Sequence, residues 1–186
     1  MGHNAPAGQH KTNMDVYSET FVLTNITPQE MVFNSGLWVL MEQWCRNLGR
    51  NTRLQRVMVM TGSIPARFDS DFNGVVMNVP SKMFKIICIQ MPDPNSAQAQ
   101  AQAHAQAQAH STYMEIFLFQ NKPYNVNYSL PKYDLSPYLV PHNHYTDFQR
   151  ETGVVLQRLL EYYGFSSSRI KPFRSILNIF MPLNPV

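Results

Sequence analysis

The sequence predicts an α+β domain, a mainly antiparallel sheet flanked by helices, and three observations carry that expectation. Residues 57–61, 82–90 and 113–119 are short runs rich in Val, Ile, Phe and Met, with the length and composition of strands in a sheet. Residues 31–48 instead place Leu37, Met41, Trp44 and Leu48 at i, i+4, i+7 and i+11, the repeat of a helix with one buried apolar stripe. The chain has 186 residues, 44% of them hydrophobic, which suits one domain with a sizeable core and leaves too little for a second full one.

In order along the chain, Gly2-His3-Asn4-Ala5-Pro6-Ala7 sets a histidine in a Pro-containing loop, 11–19 reads as a polar loop, and Phe21-Val22-Leu23 as a short apolar strand. Pro28 closes the following turn, and the helix over 31–48 ends beside Gly49, a suitable C-cap. Arg50, Arg53 and Arg56 form a basic connector, either a solvated loop or a patch facing phosphates. The run 57–61 stops at Gly62 and suits a buried strand, while 64–78 reads as a surface loop. In 82–90, Ile86 and Cys88 fall on one face and Ile87 and Ile89 on the other; apolar residues on both faces make this strand central. Its natural partner is 113–119.

Between those two strands lies an Ala-Gln repeat, 97–109, whose period of two leaves no apolar helical face to dock, so a mobile insertion is expected. His104 and His110 within this region, and His142 and His144 further on, have spacings open to a metal, but surface loops are the preferred reading of both pairs. Residues 123–141 read as an irregular cover. Residues 145–163 have helical features, with Phe148, Val155, Leu159 and Leu160 as apolar points and Gly153 as an interruption. From Phe165 onward, Arg169, Lys171 and Arg174 alternate with apolar residues, as in one more layer of core or a contact surface for a partner. The expected division is 1–156 as a catalytic domain, carrying a low-complexity insertion over 97–110, and 157–186 as a C-terminal extension.

The chemistry concentrates between Met1 and Arg46. Cleaving a phosphodiester needs a water, a group that takes its proton, and positive charge against the phosphate oxygens. His3 suits the base, because neutral imidazole accepts a proton near physiological pH. Asn34 offers a neutral carbonyl oxygen, a hard ligand for a cation that keeps several of its waters, with magnesium the natural choice and manganese the alternative. Glu42 lies eight residues beyond Asn34. At about 100° per residue the two share one third of the helix, nearly two turns apart. Glu42 is thus placed to orient metal-bound water and not to share a ligand shell with Asn34. Arg46 continues that side toward a phosphate. Singly, each residue has a plainer reading: a loop histidine, a helix cap, an i, i+4 surface pair.

Together, His3-Asn4-Ala5-Pro6-Ala7, Asn25-Ile26-Thr27-Pro28-Gln29, Asn34, Trp38, Glu42 and Arg46 resemble the DNA/RNA non-specific endonuclease family, which includes mitochondrial endonuclease G and secreted bacterial nucleases. That family carries D-R-G-H, then S-N-x-x-P-Q, N-x-x-x-W and E-x-x-x-R, and both spacing and identity agree. The looser match runs to about residue 156. The resemblance implies a ββα-metal (His-Me finger) core with His3 as general base, Asn34 as magnesium ligand, Glu42 and Arg46 in support, and Asn25 and Gln29 close by. It also implies DNA and RNA as substrates, a homodimer and a mitochondrial location. One departure is clear: only Met1 stands before Gly2, where the family has Asp-Arg and, before that, further strands. The expectation is therefore a core without those N-terminal strands, either because the chain starts inside a longer product or because its sheet has lost a layer. The alternative function is a catalytically weakened relative that binds nucleic acid or serves as a structural subunit.

A net charge of +3 mildly favours a polyanionic partner. Cys45 and Cys88, one on the helix and one in a strand, read as buried free thiols and not as a disulfide framework. No run reaches membrane-spanning length, and no targeting segment is visible.

Overall fold

The computed structural model describes residues 1–11, 13–66, 70–72, 74–92, 110–123, 135–165 and 170–172. Its centre is the long hairpin of β6 (Lys82–Pro92) and β7 (His110–Gln120), paired antiparallel from Lys82↔Gln120 to Pro92↔His110. β3 (Arg56–Ile64) lies antiparallel along the other edge of β6, and β8 (Ile170–Pro172) runs parallel to β7, giving the order β3-β6-β7-β8. Two small antiparallel sheets stand outside it. One joins β1 (Gly2–His3) to β2 (Ile26–Thr27), and the other joins β4 (Ser70–Phe72) to β5 (Val75–Met77).

The alternation of β6 and β7 dictates two cores. Met83, Ile87, Ile89, Tyr113, Phe117 and Phe119 face one way and bury the helix over 31–49 through Phe33, Leu37, Trp38, Met41, Trp44 and Leu48. Phe84, Ile86, Cys88, Met114 and Ile116 face the other way and bury Phe148, Leu156, Leu159 and Leu160 from α4 (Tyr145–Thr152) and α5 (Leu156–Tyr162). Gly153, at φ 72°, takes the left-handed conformation that ends α4 and lets the chain turn into α5. β6 is central, as its two apolar faces predict.

The helix over 31–49 has three parts: α2 (Met31–Phe33), a π-helical segment (Asn34–Trp38) and α3 (Val39–Gly49). Its predicted stripe is buried, with Leu37 and Met41 fully inaccessible. The Glu30 carboxylate caps its start by accepting from Phe33 N at 2.7 Å.

Several local expectations are corrected. Residues 11–19 are not all loop, because Asn13 Oδ1 accepts from the Asp15 and Val16 amides and caps α1 (Met14–Glu19). Phe21-Val22-Leu23 is not a strand; these side chains are exposed, and pairing begins at Ile26, opposite His3. β3 is an edge strand with half-buried side chains, not a fully buried one, since β6 pairs with only one of its sides. Within 64–78 the chain forms the β4–β5 hairpin. Val155 is half exposed and Leu156 takes its inward place. The repeat 97–109, with His104, and most of 166–186 lie outside the described residues.

Phe33 is fully buried against the Trp38 and Phe119 rings, with centroids at 5.5 and 6.0 Å. Phe33→Ala is expected to lower the unfolding free energy by about 3–5 kcal/mol, read as a shifted urea midpoint with unchanged slope.

Candidate active site

Residues 2–9 run alongside the helix, meeting Asn34 at Gly2, Trp38 at His3, Arg46 at Gly8 and Glu42 at Gln9. β1 is only two residues long, and a two-stranded ribbon of that size is marginal alone. It is held by its neighbours. Trp38 Nε1 donates to the His3 carbonyl at 3.4 Å, and Asn4 N donates to the Asn25 carbonyl at 2.8 Å. The Asn25 side chain grips the next residue from both sides, with Oδ1 accepting from Ala5 N at 2.8 Å and Nδ2 donating to Ala5 O at 2.9 Å and Thr20 O at 2.8 Å. Thr27 Oγ1 donates to Asn4 Oδ1 at 3.0 Å. Further on, Gln9 Nε2 donates to the Glu42 carbonyl at 3.3 Å, and a Cβ at Gly8 would lie 2.7 Å from an Arg46 guanidinium nitrogen.

Gly2 fits only because it lacks a side chain. A Cβ there would collide with both Gln29 Oε1 and Asn34 Oδ1, so the two carboxamide oxygens are neighbours above the Gly2 backbone. Asn34 Nδ2 makes one long contact, 3.5 Å, to Met1 O. Gln29 is buried with neither amide atom hydrogen-bonded, and His3 Nε2 is likewise buried without a partner among the described residues. The His3 ring is steadied by an edge contact with Phe21, at 5.1 Å between centroids. Buried polar atoms without partners are rare in a finished core, and those of Gln29 mark the space beside Gly2 as one that can receive a polar group.

The structure thus brings Asn34, Glu42 and Arg46 to the side of the helix followed by the loop that carries His3. Asn25 serves that loop's backbone. His142 and His144 lie elsewhere, exposed in a short 3-10 turn near Glu115 and Asp147. Among the described residues no group of three or more His, Cys, Asp or Glu forms a metal cage. The donors present, one free carboxamide oxygen beside a second, fit a hydrated cation completed by water and phosphate.

Below the loop opens a cavity of about 720 Å³. It begins at Asn4, one residue past His3, and its cationic lining is Lys11, Arg46, Arg50 and Lys85, with His10 beside them and no Asp or Glu among the described residues. Arg46 Nε is buried without a hydrogen-bond partner among the described residues. Arg50 does join the cavity, whereas Arg53 and Arg56 are exposed and absent from its lining.

Sequence reasoning missed Lys85. It is 1% exposed, donates to Thr61 Oγ1 at 2.7 Å and to the Asn4 carbonyl at 3.5 Å, and its ammonium lies 4.4 Å from the Trp38 ring centroid. The signal was present: a lysine at an inward position of the apolar run in β6. Burial pulls its ammonium below the usual lysine value, opposed by Cys45 and Glu42. Burial also pushes Glu42 above the usual 4.5, opposed by Lys85, Arg46 and a Trp38 hydrogen bond. The thiols of Cys45 and Cys88, both buried and free, are pushed up to about 12 by burial, so neither is a nucleophile.

Comparison with known proteins decides the assignment. The DNA/RNA non-specific endonuclease family matches residues 1–160. The chain belongs to this family. It is 30% identical over 142 residues to the mitochondrial nuclease EXOG of Xenopus laevis, covering 71% of this chain and 35% of that protein. With the Danio rerio mitochondrial nuclease EXOG it shares 28% over 189 residues, 93% of this chain and 48% of the relative. The chain therefore spans less than half the length of these relatives. A crystal structure of an EndoG/EndoGI complex superposes with a TM-score of 0.55 at 23% identity, over 83% of this chain and 57% of that one, a likeness of fold. The expected α+β, ββα-metal class stands. No helix among the described residues is long and apolar enough to cross a membrane.

Two measurements follow from this geometry. Asn25→Ala removes both grips on Ala5 and is expected to lower stability by about 1–3 kcal/mol and to speed amide exchange at Ala5 by about tenfold or more. Glu42 gives a pH dependence. Because its carboxyl is raised in the folded state, its contribution to stability is complete below the usual 4.5 and is lost as pH rises through the raised value. Between about pH 4 and pH 7 the unaltered chain should therefore lose stability relative to Glu42→Gln, measured by urea unfolding at each pH. Parallel curves would contradict the raised carboxyl.

Proposed function

We propose that this chain carries the site of a magnesium-dependent, sugar-non-specific endonuclease that hydrolyses phosphodiester bonds in DNA and RNA. One observation carries the reading: the Gln29 and Asn34 carboxamide oxygens are neighbours beside Gly2, and His3, the next residue, has a buried Nε2 without a partner among the described residues, in a loop that Trp38 and Asn25 hold in place. Asn34 Oδ1 is the protein ligand for the metal, with Gln29 beside it. Magnesium, when bound, supplies positive charge against the phosphate oxygens and the leaving oxygen, and manganese has the same preference for oxygen donors.

The residues of this chain do the rest. His3 takes the proton of the attacking water, a new phosphorus–oxygen bond forms, and one ester bond of the backbone breaks, its electron pair leaving with the sugar oxygen. Glu42, half-buried at the middle of the helix, accepts hydrogen bonds from water in the site. Arg46 offers its unpartnered Nε to a phosphate oxygen. The cation-lined cavity beyond Asn4 receives the neighbouring phosphates of the strand, contacts that carry no base information and so suit a nuclease without sequence preference. Two further features of this reading come from the family resemblance and the names of the relatives. They are a homodimer, read by mass in solution, and a mitochondrial location, read by imaging the tagged full-length gene product.

The test is plasmid nicking by this chain and by His3→Ala, each with magnesium and with EDTA. Nicking by the unaltered chain alone, abolished by EDTA, is the expected result. Cutting by both proteins alike would remove His3 from the mechanism, and no cutting by either would remove catalysis by this chain.

A further inference from the structure

We propose that Lys85 is the positioning residue of the His3 loop: its ammonium, lying against Trp38, holds the Asn4 carbonyl while the indole holds the carbonyl of His3. One cation–ring pair thus grips two successive peptide oxygens of the segment that carries the proposed base. The inference rests on the nuclease reading for its catalytic consequence and on geometry alone for the positioning.

The argument starts from what a buried lysine costs. Lys85 is 1% exposed on the inward face of β6, among residues such as Met83 and Ile87 that fill the same core with carbon. A methionine of similar length would fill that space with no charge to desolvate, and replacing buried ions by apolar residues of like volume is often neutral or stabilising. What only the ammonium provides is its donors and its field. The donors go to Thr61 Oγ1 at 2.7 Å, which anchors the side chain to β3, and to Asn4 O at 3.5 Å, an ion–dipole contact with the loop. The charge meets the Trp38 ring face at 4.4 Å. The same indole reaches the His3 carbonyl through Nε1 at 3.4 Å. Each contact with the loop is long and weak alone. They converge on adjacent peptides from one rigid platform of helix and sheet, which fixes the direction of the His3 side chain more than either would singly.

Lys85→Met and Thr61→Val in the same 186-residue chain test this. Both are expected to raise the amide-exchange rates of Asn4 and Ala5 by about tenfold while leaving exchange in β6 and β7 unchanged, because the perturbation is confined to the loop. The thermal midpoint of Lys85→Met should stay level or rise. In nicking assays, kcat of Thr61→Val, which leaves every cation of the cavity lining in place, should fall about 10- to 100-fold with KM within about twofold, the pattern of lost alignment, whereas Lys85→Met, which also removes a cation from that lining, should lower kcat and raise KM. Unchanged exchange at Asn4 and Ala5, or exchange raised across the whole sheet with a lowered midpoint, would overturn the proposal. If the unaltered chain does not cut, the nuclease reading fails by itself and the exchange rates still decide the role of Lys85.

Discussion

The placement of His3 depends on Trp38. The indole is wholly buried, packed against Phe33 at 5.5 Å and edge-on to Phe119 at 5.9 Å, so its position is set by the main core and by several kcal/mol of aromatic burial. The one polar atom of that ring, Nε1, faces the other way, toward the His3 carbonyl and the Glu42 carboxylate. A hydrogen bond of this kind is worth only about 1 kcal/mol net, far less than the burial that holds the ring still. The core therefore positions the donor, and the donor positions the loop. A ribbon of two residues on each strand would not hold this loop by itself.

The same arrangement explains the electrostatics. Lys85, Glu42 and Arg46 gather at the boundary between the core and the cavity, where burial disfavours every charge and each opposite charge restores its partner. Glu42 is the only acid in this group, against three cations counting Arg50 in the cavity wall. The imbalance leaves an uncompensated positive field in a concave, partly dry place, which is where a phosphate backbone gains most from entering. Under the proposed function that surplus would serve catalysis, since negative charge builds on the phosphate and leaving oxygens in the transition state.

Much of this was legible in the sequence, and the residues say why. The stripe Leu37, Met41, Trp44 and Leu48 and the two-faced run of β6 are repeats, and repeats survive translation into structure because burial enforces them. The family was legible through spacing and motif together, since a histidine, an asparagine, a glutamate and an arginine taken one by one have plainer readings. The failures are local. Phe21-Val22-Leu23 has the composition of a strand, but Asn25 claims Thr20 and Ala5, and this fixes pairing at Ile26. Asn13 caps a short helix that hydrophobicity alone does not announce. Lys85 was passed over because a lone charge in an apolar strand looks like noise until its partners, 24 and 81 residues away, are seen.

The π-helical segment was hidden for a deeper reason, and it makes the site possible. At about 100° per residue, Phe33 and Trp38 would point about 140° apart, and one of them would leave the core. Bonding from i to i+5 over Asn34–Trp38 widens the turn and brings residues five apart to the same side. The two rings meet, and both are fully buried. The widened turn begins at Asn34, half-exposed beside Gly2, and ends at Trp38, whose nitrogen reaches His3. The poorer hydrogen bonding of a π turn is a local cost in stability, offset by the burial of two large rings. In return one helix presents the Asn34 carboxamide and an indole donor to the same two-residue strand, which a regular helix with Trp38 turned away from Phe33 would not do.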